Sequence, residues 1–188
     1  MEHPPREYPL FAACGLNCGL CPRHHTDGAS RCPGCGGPGF AAVHPPCGVL
    51  SCSRRQNAEY CAHSGEYPCQ KLAGVGLYDS FITHQNQLAN LQKMKEAGTD
   101  AYRAELEEKI TLLRQLLAGF DDGRHKSFFC LVVNLLPLPD VRYAAERLAA
   151  ATPPDAAPKE KAAAAEQLLR QAAEQRGIAL QLRKKPKG

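Results

Sequence analysis

The chain has 188 residues, enough for one compact domain or for a small module joined to a slightly larger one. Apolar residues (44%) and charged residues (22%) stand near globular averages, which excludes wholesale disorder. No run approaches the roughly 18 apolar residues of a membrane span, and a formal charge of +4 is too small to argue by itself for a nucleic-acid partner.

From the N-terminus, Met1-Glu2-His3-Pro4-Pro5 has neither a basic stretch nor an apolar core. It does not read as a secretory signal, so the expected home is a reducing cytoplasm. There, clustered cysteines point to metal rather than to disulfides. Residues 1–72 are such a cluster. The first 70 residues hold nine of the ten Cys, nine of the sixteen Gly and nine of the fifteen Pro, and their formal charge is zero. They carry too few large apolar side chains to build a core alone, so something else must staple them.

The cysteines are Cys14, Cys18, Cys21, Cys32, Cys35, Cys47, Cys52, Cys61 and Cys69. Cys18-Gly-Leu-Cys21 and Cys32-Pro-Gly-Cys35 each leave two residues between thiols, the spacing at which a tight turn aims two sulfurs at one ion. Ten residues separate the two pairs, a normal span between halves of a tetrahedral site. Zinc is favoured over an iron–sulfur cluster, because a closed zinc site stabilises a region with little core and needs no redox chemistry. About two zinc ions are expected. Spacing suggests Cys18, Cys21, Cys32 and Cys35 for one, and Cys47, Cys52, Cys61 and Cys69 for the other, with Cys14 spare. His44 and His63 lie close enough to cysteines to serve as further donors. His24 and His25 read as hydrogen-bonded or surface imidazoles, and Cys130 as a packed core thiol.

Residues 73–183 are rich in Ala, Leu, Gln, Glu and Lys and read as helices. Asp79 or Ser80 can cap one reaching about Lys95, with Gly98 as its stop. Thr99 can cap the next, whose stripe of Tyr102, Leu106, Ile110, Leu113 and Leu117 is the cleanest amphipathic signal in the chain. Asp121-Asp122-Gly123 is a turn. Ser127 to Leu136 is apolar almost all round and reads as a helix capped by Ser127 and stopped by Pro137. Pro139 suits the first turn of a helix reaching about Ala150. A Pro-rich linker follows, then a helix from Pro158 to Arg176 ended by Gly177. Ile178 to Leu182 alternates like one short strand, and residues 184–188 form a basic tail. The expected fold is therefore mainly α, an irregular metal-stapled N-terminal region packed on a helical C-terminal region.

The order Cys14-Gly-Leu-Asn-Cys18-Gly-Leu-Cys21, Cys32-Pro-Gly-Cys35, Cys47-x4-Cys52 and Tyr67-Pro-Cys69-Gln-Lys-Leu72 resembles the Cys-rich prokaryotic family catalogued as domain of unknown function 3795. The resemblance covers roughly residues 10–75. It implies a metal-binding, cytosolic protein and implies no activity. Where that family has two further cysteines, this chain has His44 and Ser64. His44 can replace a thiolate at zinc; a hydroxyl at Ser64 is a poor ligand.

Three functions compete. The favoured one is a zinc-binding module whose metal is mainly structural and whose surface takes a protein or small-molecule ligand. The second is an iron–sulfur redox protein; Cys14-x3-Cys18-x2-Cys21 matches the cluster motif of radical S-adenosylmethionine enzymes, but the helical remainder does not supply their barrel. The third, nucleic-acid binding, is disfavoured: Arg183-Lys184-Lys185 and Arg124-His125-Lys126 lack interleaved aromatics. No hydrolase or phosphate-loop motif is present.

Overall fold

A computed structural model describes residues 4–186; Met1 to His3, and Lys187 and Gly188 of the basic tail, lie outside the described residues. Up to Leu72 the chain is largely irregular. Its short regular pieces are a 3-10 turn at Cys18–Leu20, helices α1 (Phe40–Val43) and α2 (Gly48–Arg55), and 3-10 turns at Cys61–His63 and Gln70–Leu72. Five helices follow: α3 (Gln87–Ala97), α4 (Thr99–Phe120), α5 (Lys126–Leu135), α6 (Leu138–Ala151) and α7 (Pro158–Gln175). The molecule is mainly helical with an irregular Cys-rich N-terminal region, as the composition implies.

Helix α4 is the hub. It packs on α3, α5, α6 and α7, and on the Cys18–Leu20 turn. Its apolar stripe explains this: Tyr102, Leu106, Ile110 and Leu113 recur at helical spacing and are all buried, joined by Leu112 and Leu116. Leu117 is only partly buried against the same core. Helix α5, apolar around most of its surface, is covered from several directions, with Phe129, Val132 and Val133 fully enclosed. Helix α7 presents small residues, Ala162, Ala165 and Ala173, around Leu169, so its backbone lies close to its neighbours.

One apolar core crosses the composition boundary. Phe11 and Leu20 from the Cys-rich region share it with Leu91, Ile110, Leu113 and Phe129 of the helices. Phe11 is wedged between Tyr60 (ring centroids 5.0 Å) and Tyr102 (4.6 Å). Burying such a ring contributes about 1.5–3 kcal/mol. The Cys-rich region thus borrows its core from the helices.

Several boundaries differ from expectation. Asp79 does not cap α3, which begins eight residues later at Gln87. Its carboxylate instead accepts the His84 N–H at 2.6 Å and the Arg183 N–H at 2.6 Å, so it organises a turn and ties down the C-terminal segment. Ser127 lies inside α5; the residue before that helix is His125, whose N–H is accepted by Asp121 Oδ1 at 2.9 Å. Residues 178–182 are not a strand: no strand occurs among the described residues, because the segment finds no extended partner beyond an isolated Asp79 N–H to Arg183 carbonyl bond at 2.8 Å. Gly98 and Gly177, both at positive φ, terminate α3 and follow α7 as the sequence suggests. No helix among the described residues is long and apolar enough to cross a membrane.

Candidate metal centre

Tight backbone turns place the cysteines. Between Cys14 and Cys18 the chain doubles back, with the Ala12 N–H bonded to the Leu16 carbonyl at 2.8 Å and the Gly15 N–H to the Ala12 carbonyl at 2.9 Å. Gly15 sits at φ +94°, and a Cβ there would run into the Gln87 carbonyl at the start of α3. Only glycine allows that turn and that approach together. Cys32-Pro33-Gly34-Cys35 makes a second knuckle, Gly34 also at φ +94°, anchored by the Cys35 N–H to the Pro9 carbonyl at 2.8 Å.

These turns bring four thiols around one spot. Cys35, Ala12 and Leu50 form a small buried cluster, and Cys14, Cys18 and Cys47 all pack against it. Cys47 is the residue before α2, and its Sγ accepts the Leu50 N–H at 3.5 Å. Backbone hydrogen bonds from Leu16, Cys35 and Ala13 favour the thiolates of Cys14, Cys18 and Cys35 respectively. Burial works the other way. It pushes the Cys14 thiol up to about 12, with further repulsion from Cys35. Burial also holds Cys18 well above the ordinary thiol range, reinforced by Cys35, Cys14 and Cys21. Cys35 is raised by burial too, and the guanidinium of Arg6 opposes this. Bare thiolates at Cys14, Cys18 and Cys35 are therefore costly here, while backbone amides are already aimed at their sulfurs.

Three more cysteines form a second group. Cys52 on α2, Cys61 and Cys69 line a slot of about 20 Å³ together with Ser64 and Glu66. A volume of that order holds one water or one ion. Burial pushes the Cys61 thiol up to about 11, followed by repulsion from Cys69 and Cys52. The Ser64 hydroxyl accepts the Glu66 N–H at 3.2 Å.

Cys21 and Cys32 line neither the small cluster nor the slot, although Cys18 feels its neighbour Cys21. Cys21 is buried, and Cys32 adds to the upward shift of its thiol. Cys130 of α5 is a buried core residue, as expected, yet Cys21 is the first charge it feels, and its thiol is pushed up to about 12, mainly by burial. Cys18 and Cys35 thus pack near Cys14 and Cys47, and Cys52 near Cys61 and Cys69, while Cys61 also feels the charges of Cys35 and Cys47.

The histidines join none of these groups. His44 stacks on Phe40 (4.4 Å) and bonds through Nδ1 to the Pro45 carbonyl at 2.7 Å. His63 is exposed, edge-on to Tyr60. His24 and His25 bond to the Cys32 and Gly19 carbonyls at 2.9 and 2.8 Å. All ten cysteines are free thiols. Among the described residues no three sulfurs lie within 4.8 Å of one another. A zinc ion with Zn–S bonds of about 2.3 Å would require sulfurs about 3.8 Å apart, so ligation must draw these side chains inward. Among the described residues the one close trio of donors is Asp121, Asp122 and His125; Asp121 Oδ1 already accepts the Gly123 and His125 amides, and Asp122 Oδ1 the Arg124 amide and the His125 ring.

Residues 10–74 match a family model described as protein of unknown function (DUF3795). The matched stretch contains all nine N-terminal cysteines and stops short of α3, so the resemblance carried by the cysteine order holds there. No curated protein and no solved structure matches the chain.

Two residues of the site had no signal in the sequence. Arg6 is buried beside Cys35, bonded to the Phe11 carbonyl at 2.8 Å and paired with Glu59 at 2.7 Å. Asn17, inside the DUF3795-like motif, is buried and bonds to Tyr102 and Asn134 of the helices.

Proposed function

We propose that this is a cytoplasmic, prokaryotic zinc-binding protein whose metal is mainly structural and whose body serves as a binding module for a protein or small-molecule ligand. The observation that carries this reading is the quartet Cys14, Cys18, Cys35 and Cys47. Four free thiols pack on one small apolar cluster, a backbone amide points at each sulfur, and burial with mutual repulsion resists bare thiolates at Cys14, Cys18 and Cys35. A divalent cation supplies the missing countercharge, and the bound thiols give up their protons to it. Its stabilisation would compensate for a region that has only a small core cluster of its own. A four-thiolate zinc has no open position, which suits scaffold rather than catalyst. Nucleic acid is disfavoured as the partner, since thiolate–zinc sites would offset the +4 formal charge.

A second reading attaches to Cys52, Cys61 and Cys69. Three thiols with a hydroxyl, Ser64, in place of a fourth leave one ligand position without a sulfur, as in an iron–sulfur cluster with one open iron, which would need the slot to widen beyond the room of a single ion. Elemental analysis and a visible spectrum of protein purified without oxygen separate the two. Colourless protein with about two zinc per chain supports the proposal; brown protein containing iron replaces it with a redox function; colourless protein free of both metals ends both.

A further inference from the structure

Outside the thiols, the structure holds a buried amine without a carboxylate partner. Lys109 lies on the core face of α4, and only 8% of its surface is exposed. An ammonium has three N–H donors. Lys109 uses one, to the Leu136 carbonyl at 2.6 Å. Among the described residues it forms no ion pair; the carboxylate whose charge it feels, Glu105, is held by Lys93 at 2.6 Å. Burial pushes the amine down to about 8, so it remains mostly protonated at neutral pH.

This amine lines a cleft of about 290 Å³ between the Cys-rich region and helices α3, α4 and α5. The inner wall is a buried polar network. Tyr102 donates to Asn17 Oδ1 at 2.9 Å, and the Asn17 amide donates to Asn134 Oδ1 at 3.2 Å. Asn90 joins the lining, its amide bonded to the Gly15 carbonyl at 3.0 Å. Lys93 and Glu105 stand at the rim. Counting Lys93, Lys109 and Glu105, the cleft carries one net positive charge. Buried charges are normally paired, and this one faces open volume with donors to spare.

We infer that the cleft is a binding site for a small organic carboxylate, which pairs with Lys109 and contacts the asparagine wall. The inference deepens the binding-module reading and is independent of which metal the thiols hold. A carboxylate there gains a charge-assisted hydrogen bond in a partly desolvated site.

Titration of the whole metal-loaded protein with sodium acetate, followed by NMR of the asparagine side-chain amides, tests it. Sodium chloride at equal ionic strength is the control. The expected result is saturable shifts at Asn17 and Asn90 with acetate alone. Lys109→Met should weaken binding at least about tenfold, with metal content unchanged. Glu105→Gln removes a competing rim charge and should tighten binding about threefold; it carries the test if Lys109→Met does not fold. Shifts that chloride reproduces, or that persist in Lys109→Met, overturn the inference, as does a Glu105→Gln protein that binds acetate no better than the parent. None of these failures touches the zinc reading, which metal content decides separately.

Discussion

The Tyr102 hydroxyl of α4 donates a 2.9 Å hydrogen bond to Asn17 Oδ1, one residue before Cys18. The contact is buried, spans 85 positions, and fastens the cysteine motif to the central helix. Tyr102→Phe keeps the ring against Phe11 and leaves an amide oxygen with one donor fewer. It should cost about 1–3 kcal/mol, read as a lower urea midpoint at unchanged slope.

Gly15→Ala should be worse than an ordinary turn substitution. The residue sits at φ +94° and its Cβ would meet backbone at Gln87, which cannot swing aside as a side chain would. A loss of more than about 1 kcal/mol is expected, with a lower melting temperature. A protein of wild-type stability would show that α3 and the Cys14 turn do not lie this close.

Metal content should separate the cysteines by location. Serine at Cys14, Cys18, Cys35 or Cys47 should remove about one metal equivalent and destabilise the N-terminal region. Cys130→Ala, a core change in α5, should retain full metal and lose about 1–2 kcal/mol through packing alone. Equal metal loss at Cys130 would contradict the assignment of that thiol to the core.

Ser64→Cys offers a gain rather than a loss. It places a fourth thiol at the slot lined by Cys52, Cys61 and Cys69. Metal there should resist a competing chelator at least about tenfold better than in the parent. No change in chelator resistance would mean that these three cysteines do not share an ion.

His125 sets a pH dependence. Its ring bonds to Asp122 at 2.7 Å, which raises its pKa above the usual imidazole value; burial opposes this and Glu166 adds to it. Protonation is therefore favoured in the folded state. Its stabilising contribution is complete below the unfolded value of about 6.5 and fades as pH rises through the raised folded value. His125→Gln should flatten that part of the stability curve, measured by urea unfolding at pH 6 and pH 8. A variant with the parent's slope would assign the dependence elsewhere.

How much of this the sequence carried depends on the range of the interaction. The stripe from Tyr102 to Leu113 is local, so periodicity alone places α4 and its buried face. Gly98 and Gly177 are equally readable, since positive φ is a property of one residue. Asp79 misled because its partner, Arg183, lies 104 positions away and competes with a capping role. The packing of the cysteines is long-range in the same way. Spacing pairs thiols within a knuckle, but Cys14, Cys18, Cys35 and Cys47 gather because Ala12 and Leu50 close around them. Lys109 carries no signal in the sequence: its burial comes with a bond to the Leu136 carbonyl, 27 positions away.

Helix α2 bears on how the thiol groups behave together. It spans Gly48–Arg55, with Cys47 just before its first turn and Cys52 in its middle. Eight residues of helix make a stiff rod about 12 Å long, and this one reaches from the quartet to the slot of Cys52, Cys61 and Cys69. Drawing Cys47 inward must carry Cys52 along with it. The two thiol groups are therefore mechanically linked, so that a metal ion drawn into one would adjust the mouth of the other.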